Sequence, residues 1–407
     1  MDFDYGEAAE KFRIEFRHWL EDNLDPDWRA HVGDVNLDNP AAGADHPWLR
    51  EWDRRLYEAG YKGIAWPAEY GGRGLSLLEQ VVFHEELIAA DAPVVANFLA
   101  DTLLGPTIIK WGTDAQKERF LGPILRGEEF WCQGFSEPDA GSDLASLATR
   151  AVLDGDEWVV SGQKVWTTNA HFADFCFCLA RTDPQASPHK GISFLLVPMK
   201  QPGVTVRPLR QPTGTDEFNE VFFDEARAPV GNVVGGLNNG WAVAMTTLGF
   251  ERGSSVTTQF LSYRRELDEI VEVARSRGLL DDPVVRRDLA AAYTKVAIMK
   301  ANAYRTLTAL TAAGADLQDV TGGFHPSLNK MFWSEYHQWV TDLGMNLRGP
   351  AGLVVGDGYQ VTSQQFAFLF ARSETIWGGT SQVQRNIVGE RLLGLPKEPK
   401  PGENTQR

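Results

Sequence analysis

The sequence predicts an α+β multidomain chain in three parts: an N-terminal all-α domain, a small central β-barrel, and a C-terminal α domain like a four-helix bundle. Three observations predict it. Apolar residues recur at helical spacing from about residue 4 to 128, short β-branched and aromatic runs fill 129–235, and helical spacing returns after Gly240. Strands without helices between them suggest a barrel or sandwich of their own. At 407 residues the chain is long enough for two or three cores. The expected domains are therefore 1–128, 129–235 and 236–396, followed by a polar tail, 397–407, with the composition of a disordered segment.

In the first part, F-R-I-E-F-R-H-W-L-E-D-N-L places Phe12, Phe16, Trp19 and Leu20 on one helix face. The segments L-L-E-Q-V-V-F-H-E-E-L-I-A-A and D-A-Q-K-E-R-F-L-G-P-I-L behave likewise, whereas W-P-A-E-Y-G-G-R-G-L, residues 66–75, is a glycine-rich loop. The central strands are expected at Glu157–Ser161, Phe175–Ala180, Ile192–Pro198, Val204–Leu209 and Glu220–Phe223, each bounded by Gly, Pro or Asp. Asp282 followed by Pro283 marks a helix start, an N-cap before proline at the first helical position. Helices then continue to about Leu395, interrupted at W-G-G-T-S-Q-V-Q-R, residues 377–385. A glycine inside a helix costs about 1 kcal/mol relative to alanine, so the pair Gly378–Gly379 marks a sharp turn or a close approach.

Composition removes several function classes. The formal charge of −16 disfavours nucleic acid, since phosphate binding needs clustered basic charge. No apolar run approaches the ~18 residues of a membrane span, and the acidic N-terminus has no apolar targeting segment, so a cytoplasmic protein is expected. Cys132, Cys176 and Cys178 have no matching histidine or cysteine set and read as buried reduced thiols, not as a metal site or disulfide.

Two stretches of the central part carry possible chemistry. F-S-E-P-D-A-G-S-D, residues 135–143, can present backbone N–H groups and Ser142 to a phosphate, although the same residues also make ordinary turns. S-G-Q-K-V-W-T-T-N, residues 161–169, puts Trp166 and Thr168 on one side of an extended chain, where a flat ring beside a hydroxyl could line a planar cofactor or simply pack. On the helix after Gly240, Trp241, Ala244, Met245 and Leu248 form one stripe with Val243 and Phe250 opposite. A helix apolar nearly all round is expected to be buried, with Glu251 at the stripe's edge and Arg252 near its centre. In isolation that pair reads as a structural ion pair.

Together, W-P-A-E-Y-G-G-R-G-L, F-S-E-P-D-A-G-S-D, G-D-E-W-V-V-S-G-Q-K-V-W-T-T-N and W-G-G-T-S-Q-V-Q-R-N-I-V-G-E-R-L-L-G-L-P resemble, in order, the motifs of the acyl-CoA dehydrogenase family of flavoproteins. The resemblance runs from the N-terminal helix to about Pro396 and implies FAD held between the β domain and the C-terminal helices. It places Gln133, Phe135 and Ser136 at the flavin ring, Ser142 at the pyrophosphate and substrate, and Trp166 with Thr168 at the ring face and its N5 edge. Thr380 and Gln382 match residues that reach the FAD nucleotide, and Asn346 stands where the family's Q-x-x-G-G-x-G has glutamine. The backbone at Gly378 and Gly379 is implied to meet the thioester.

One departure matters most. Many members read Y-E-G-T where this chain reads W-G-G-T, so Gly378 occupies the place of the glutamate that removes the substrate's α-proton. Isovaleryl-type, long-chain and some actinobacterial steroid side-chain members carry that glutamate on an earlier helix, directly before an arginine. The matching segment here is G-F-E-R-G, which implies Glu251 as base and Arg252 as a substrate- or CoA-positioning residue. The family's R-x-x-F-G is reduced to R-S-R-G-L-L-D-D-P, and Pro350 replaces a glycine of the later motif. What the resemblance implies is oxidation of an acyl-CoA to a trans-2-enoyl-CoA in β-oxidation of a fatty acid or steroid side chain. Reoxidation by an electron-transfer flavoprotein and a homotetramer or homodimer are implied as well. A partner-dependent subunit of a mixed oligomer and a flavin oxidase or monooxygenase of the same fold remain as alternatives.

Overall fold

The computed structural model describes residues 5–32, 45–93, 95–250, 254–313 and 326–397. The chain divides into two compact units, one ending at Gln259 and the other beginning at Phe260.

The first unit opens with helices α1 (Gly6–Asn23), α2 (Trp28–Val32), α3 (Pro47–Glu58), α4 (Leu77–Ala89), α5 (Gly105–Trp111) and α6 (Asp114–Leu125). Phe12, Phe16 and Leu20 are buried as their spacing predicts, and Phe16 stacks on Phe83 of α4 at 4.6 Å between ring centroids. Reciprocal capping boxes start α4 at Ser76 and α6 at Thr113, satisfying N–H groups that a helix leaves open. The glycine-rich loop at 66–75 is wound around a single buried ring. Trp66 donates through Nε1 to the carbonyl of Asp101, and a Cβ on Gly105 would lie 1.8 Å from its indole, so that glycine is a requirement of packing.

Eight strands follow: β1 (Trp131–Gly134), β2 (Arg150–Asp154), β3 (Glu157–Thr168), β4 (Phe175–Arg181), β5 (Ile192–Pro198), β6 (Val204–Pro208), β7 (Phe218–Pro229) and β8 (Val233–Val234). Their ladder runs β6-β7-β3-β2-β4-β5-β8, with β1 parallel to β4. Its two antiparallel halves meet at one parallel pair, Arg150 with Arg181, and curl over a shared core, the small all-β domain that the sequence predicts. Strands β3 and β7 are longer than expected, while β1, β2 and β8 were not anticipated, being too short for a period to register.

The run F-C-F-C-L-A is buried on both faces. Phe177 and Leu179 point to a core shared with α5, α6 and the helix that follows the strands, whereas Cys176, Cys178 and Ala180 point into the core between the sheet halves with Cys132. The three thiols are free and fully buried, as expected. Burial pushes the Cys176 thiol well above its ordinary value, and the contact with Cys176, together with burial, does the same to Cys178. Among the described residues no cluster of His, Cys, Asp or Glu could hold a metal.

Helix α7 (Gly240–Phe250) corrects one expectation. Its buried face is Val243, Ala244 and Thr247, while Met245 of the predicted apolar stripe is 41% exposed. Thr247 shares a hydrogen bond with Thr107 at 2.9 Å, and Trp111 Nε1 donates to Thr246, polar contacts that an apolar stripe cannot foretell.

The second unit is built from α8 (Ser254–Ser276), α9 (Pro283–Ala313), α10 (Pro326–Arg348), α11 (Ser363–Glu374) and α12 (Ser381–Ile387), α8 belonging to it from Phe260 onward. Asp282 caps α9, accepting from Val284 N–H at 2.7 Å, as its sequence predicts. Leu267, Ile270, Ala292, Val296, Tyr336 and Val340 interlock α8, α9 and α10. Among the described residues no helix is long and apolar enough to cross a membrane.

One buried polar group crosses this helical core. His337 of α10 lies between Glu374 of α11, 2.7 Å from Nδ1, and Glu266 of α8, 3.1 Å from Nε2. Burial alone would lower the imidazole, but the two carboxylates outweigh it and raise it to about 10. A histidine that is charged when folded and ordinary when unfolded stabilises the fold fully below about pH 6.5, and this contribution fades as pH rises toward 10. Thermal unfolding should therefore show a midpoint that falls across that interval in the wild type, and the His337→Gln variant should lose this slope.

Candidate active site

The two motifs of the central strands are fastened together by a buried ion pair. Lys164, 0% exposed, donates through Nζ to Glu137 Oε1 at 2.7 Å and to the carbonyl of Phe135 at 3.0 Å. Glu137, 8% exposed, also accepts from the backbone N–H of Ala148 at 2.6 Å and Thr149 at 2.9 Å. Burial would raise this carboxyl, but Lys164 and the N–H donors hold it below its ordinary value. One backbone bond completes the joint, from Val165 N–H to the carbonyl of Ser136 at 3.0 Å. F-S-E-P-D-A-G-S-D and S-G-Q-K-V-W-T-T-N are thus two sides of one surface.

That surface is shaped by a bulge. The register of β3 against β7 shifts between Lys164 and Thr167, and Trp166 adopts φ +59°. Lys164 and Thr167 remain buried, while Trp166 stands 60% exposed, its ring nearly perpendicular to that of Phe218 with centroids 6.2 Å apart. Trp166 and Thr168 therefore reach the open side through a left-handed bulge, and not through the simple alternation of an extended chain. An exposed tryptophan held at a strained backbone position is a costly arrangement for packing alone.

Several polar side chains of the joined segments are unspent. Among the described residues, Gln133, Ser136, Ser142 and Thr168 make no side-chain hydrogen bond, whereas Glu137 and Lys164 beneath them are fully engaged. Phe135 lies in the core, packed edge-on against Phe177 and Phe194, so it supports the surface from below. Open donors and acceptors on segments that also expose a flat ring fit a planar polar group such as a flavin.

In the second unit, Gly378 and Gly379 have φ of +62° and +88°, two successive left-handed residues between α11 and α12. A Cβ on Gly379 would lie 2.6 Å from Gln384 Nε2, which donates to the carbonyl of Gly378 at 2.9 Å. The N–H groups of Gly378 and Gly379 make no hydrogen bond among the described residues. Thr380 is the N-cap of α12, accepting from Val383 N–H at 3.1 Å. Gln382 and Asn346 are exposed and make no side-chain hydrogen bond among the described residues. Glu251 and Arg252 lie outside the described residues.

Three family models match the chain in order: the acyl-CoA dehydrogenase N-terminal domain over residues 6–128, the middle domain over 132–226 and the C-terminal domain over 238–393. The chain belongs to the acyl-CoA dehydrogenase family. It is 46% identical to acyl-CoA dehydrogenase IpdE1 of Mycobacterium tuberculosis, over 96% of this chain and 99% of that protein. Among solved structures it is similar to the Tcur3481-Tcur3483 steroid ACAD, with TM-score 0.81 and 32% identity over 97% of this chain and 100% of that one. It is similar too to the ChsE4-ChsE5 complex from Mycobacterium tuberculosis, with TM-score 0.78 and 30% identity over 98% of this chain and 100% of that one.

For this acyl-CoA dehydrogenase chain, sequence reading missed Glu137, Lys164 and Gln384. Each stood inside a quoted motif, but as a single polar letter whose partner is elsewhere. Breaking a buried pair strands a charge, so Glu137→Gln and Lys164→Met should each cost about 3–5 kcal/mol, and the double variant should cost less than the two together. Denaturant unfolding of all three variants measures this coupling.

Proposed function

We propose that the chain catalyses FAD-dependent α,β-dehydrogenation of an acyl-CoA thioester to the trans-2-enoyl-CoA. The observation that carries this reading is the set of unspent polar side chains on the joined segments that also expose Trp166. Gln133, Ser136 and Thr168 hold the flavin ring, Ser142 its pyrophosphate, and Trp166 covers the ring face and excludes water. Asn346, Thr380 and Gln382 contact the nucleotide end. When bound, FAD supplies the acceptor for the β-hydrogen and its electron pair.

The rest of the chemistry belongs to the protein. The N–H groups of Gly378 and Gly379 donate to the thioester carbonyl, which acidifies the α-carbon as charge moves onto oxygen; such donors are worth several kcal/mol in related oxyanion sites. Because Gly378 has no side chain, the proton must be taken by a residue from elsewhere, and Glu251 takes it, with Arg252 positioning the substrate.

A steroid-derived acyl group is the favoured substrate class, because the similar solved structure is a steroid ACAD. That structure and the ChsE4-ChsE5 complex each name two components, which favours a mixed oligomer over the homo-oligomer as the working assembly. An electron-transfer flavoprotein is the proposed acceptor.

Anaerobic flavin absorbance on adding a panel of linear, branched and steroid-derived acyl-CoAs tests this reading. Bleaching is expected with wild type, alone or with its partner chain, and Glu251→Gln should slow it by about 10²–10⁴-fold. Near-normal bleaching in Glu251→Gln would remove the assigned base. Rapid peroxide release under air would favour the oxidase alternative.

A further inference from the structure

Lys330 of α10 is a charged residue that no motif singled out, and it sits against the glycine turn. Its ammonium donates to the carbonyl of Glu374, the last residue of α11, and lies 5.4 Å from the ring centroid of Trp333 and 5.0 Å from that of Trp377. Its Cε is 3.7 Å from where a Cβ on Gly378 would stand. The neighbouring carbonyl of Ala371 is taken by Gln338 Nε2 at 3.0 Å, which also donates to Thr375 Oγ1 at 2.9 Å. Side chains from one face of α10 therefore satisfy the open C-terminal carbonyls of α11 just before the turn.

The arrangement also has a charge logic. A cation at a helix C-terminus meets the negative end of the helix dipole, and the same cation over two indoles is attracted to their faces. The Glu374 carboxylate is itself committed to His337, which is held in turn by Glu266. Lys330 is thus bound to a backbone carbonyl and two rings, not to a carboxylate, and burial draws its ammonium down to about 8 in spite of Glu374. Both indoles belong to the turn or its support: Trp377 immediately precedes Gly378, and its Nε1 donates to Ser373 Oγ at 3.0 Å.

We infer that Lys330 is a positioning residue for the substrate-facing turn, its ammonium pinning the end of α11 and the Trp377 ring so that the open N–H groups of Gly378 and Gly379 are presented in one fixed direction. This rests on the reaction proposed above. Two left-handed glycines have little intrinsic preference for one conformation, so the geometry of the turn must be imposed by what is attached on either side. Gln384 imposes it from α12 and Lys330 from α10.

The test uses the full chain loaded with FAD, as wild type, Lys330→Met and Lys330→Arg. Amide hydrogen exchange over Thr375–Gln384 should accelerate by about tenfold or more in Lys330→Met, while α8 and α9 are unchanged, and Lys330→Arg should restore the protection. Turnover of the acyl-CoA that bleaches wild type should fall in kcat with little change in KM, again rescued by Lys330→Arg. Unchanged exchange at the turn, or acceleration spread equally over α8 and α9, would overturn the assignment. Local acceleration in a protein whose wild type oxidises no acyl-CoA would uphold the positioning role and count against the reaction.

Discussion

The ion pair between Lys164 and Glu137 is the contact on which the candidate site depends. It is buried, it joins segments 27 residues apart, and each partner has further bonds that fix its position. An unpaired charge in that place would cost several kcal/mol, so the two motifs are locked to each other as firmly as either is to its own strand. Phe135, Ser136, Ala148 and Thr149 are tied through this pair, or beside it, to the strand that carries Trp166 and Thr168. The bulge that exposes Trp166 starts at Lys164 itself, so the same residue that anchors the joint also sets where the strand leaves its regular register.

The C-terminal unit uses the same principle with different groups. A protonated histidine shared by two carboxylates crosses three helices, and Lys330 completes the network at the end of α11. In both units a charged side chain is placed under a segment that has no regular structure of its own. Glycines and turns supply conformational freedom, and the buried charges remove it. Preorganised donors of this kind are what charge development in a transition state requires.

Fold class was legible because periodicity is a local property. Phe12, Phe16 and Leu20 on α1, the alternating Phe and Cys of β4, and the Asp282 cap were all visible in a few neighbouring letters. The short strands β1 and β8 were not, since four residues or two cannot carry a period, and the face of α7 was misread because Thr246 and the buried Thr247 find partners in α5. Site residues were legible only as members of motifs. Trp166 and Thr168 could be named, but the bulge that presents them depends on pairing with β7, and the buried Lys164–Glu137 contact depends on a fold no window of sequence contains.

Whether this buried pair organises the surface proposed to hold FAD is tested most directly by the affinity of the purified chain for FAD. Titrating FAD into wild type and Glu137→Gln, under conditions where both are folded by circular dichroism, should show binding weakened by about tenfold or more in the variant, since an unmoored surface loses aligned donors. Equal affinity in the two folded proteins would contradict the account and leave the pair as a stabilising feature with no part in shaping the site.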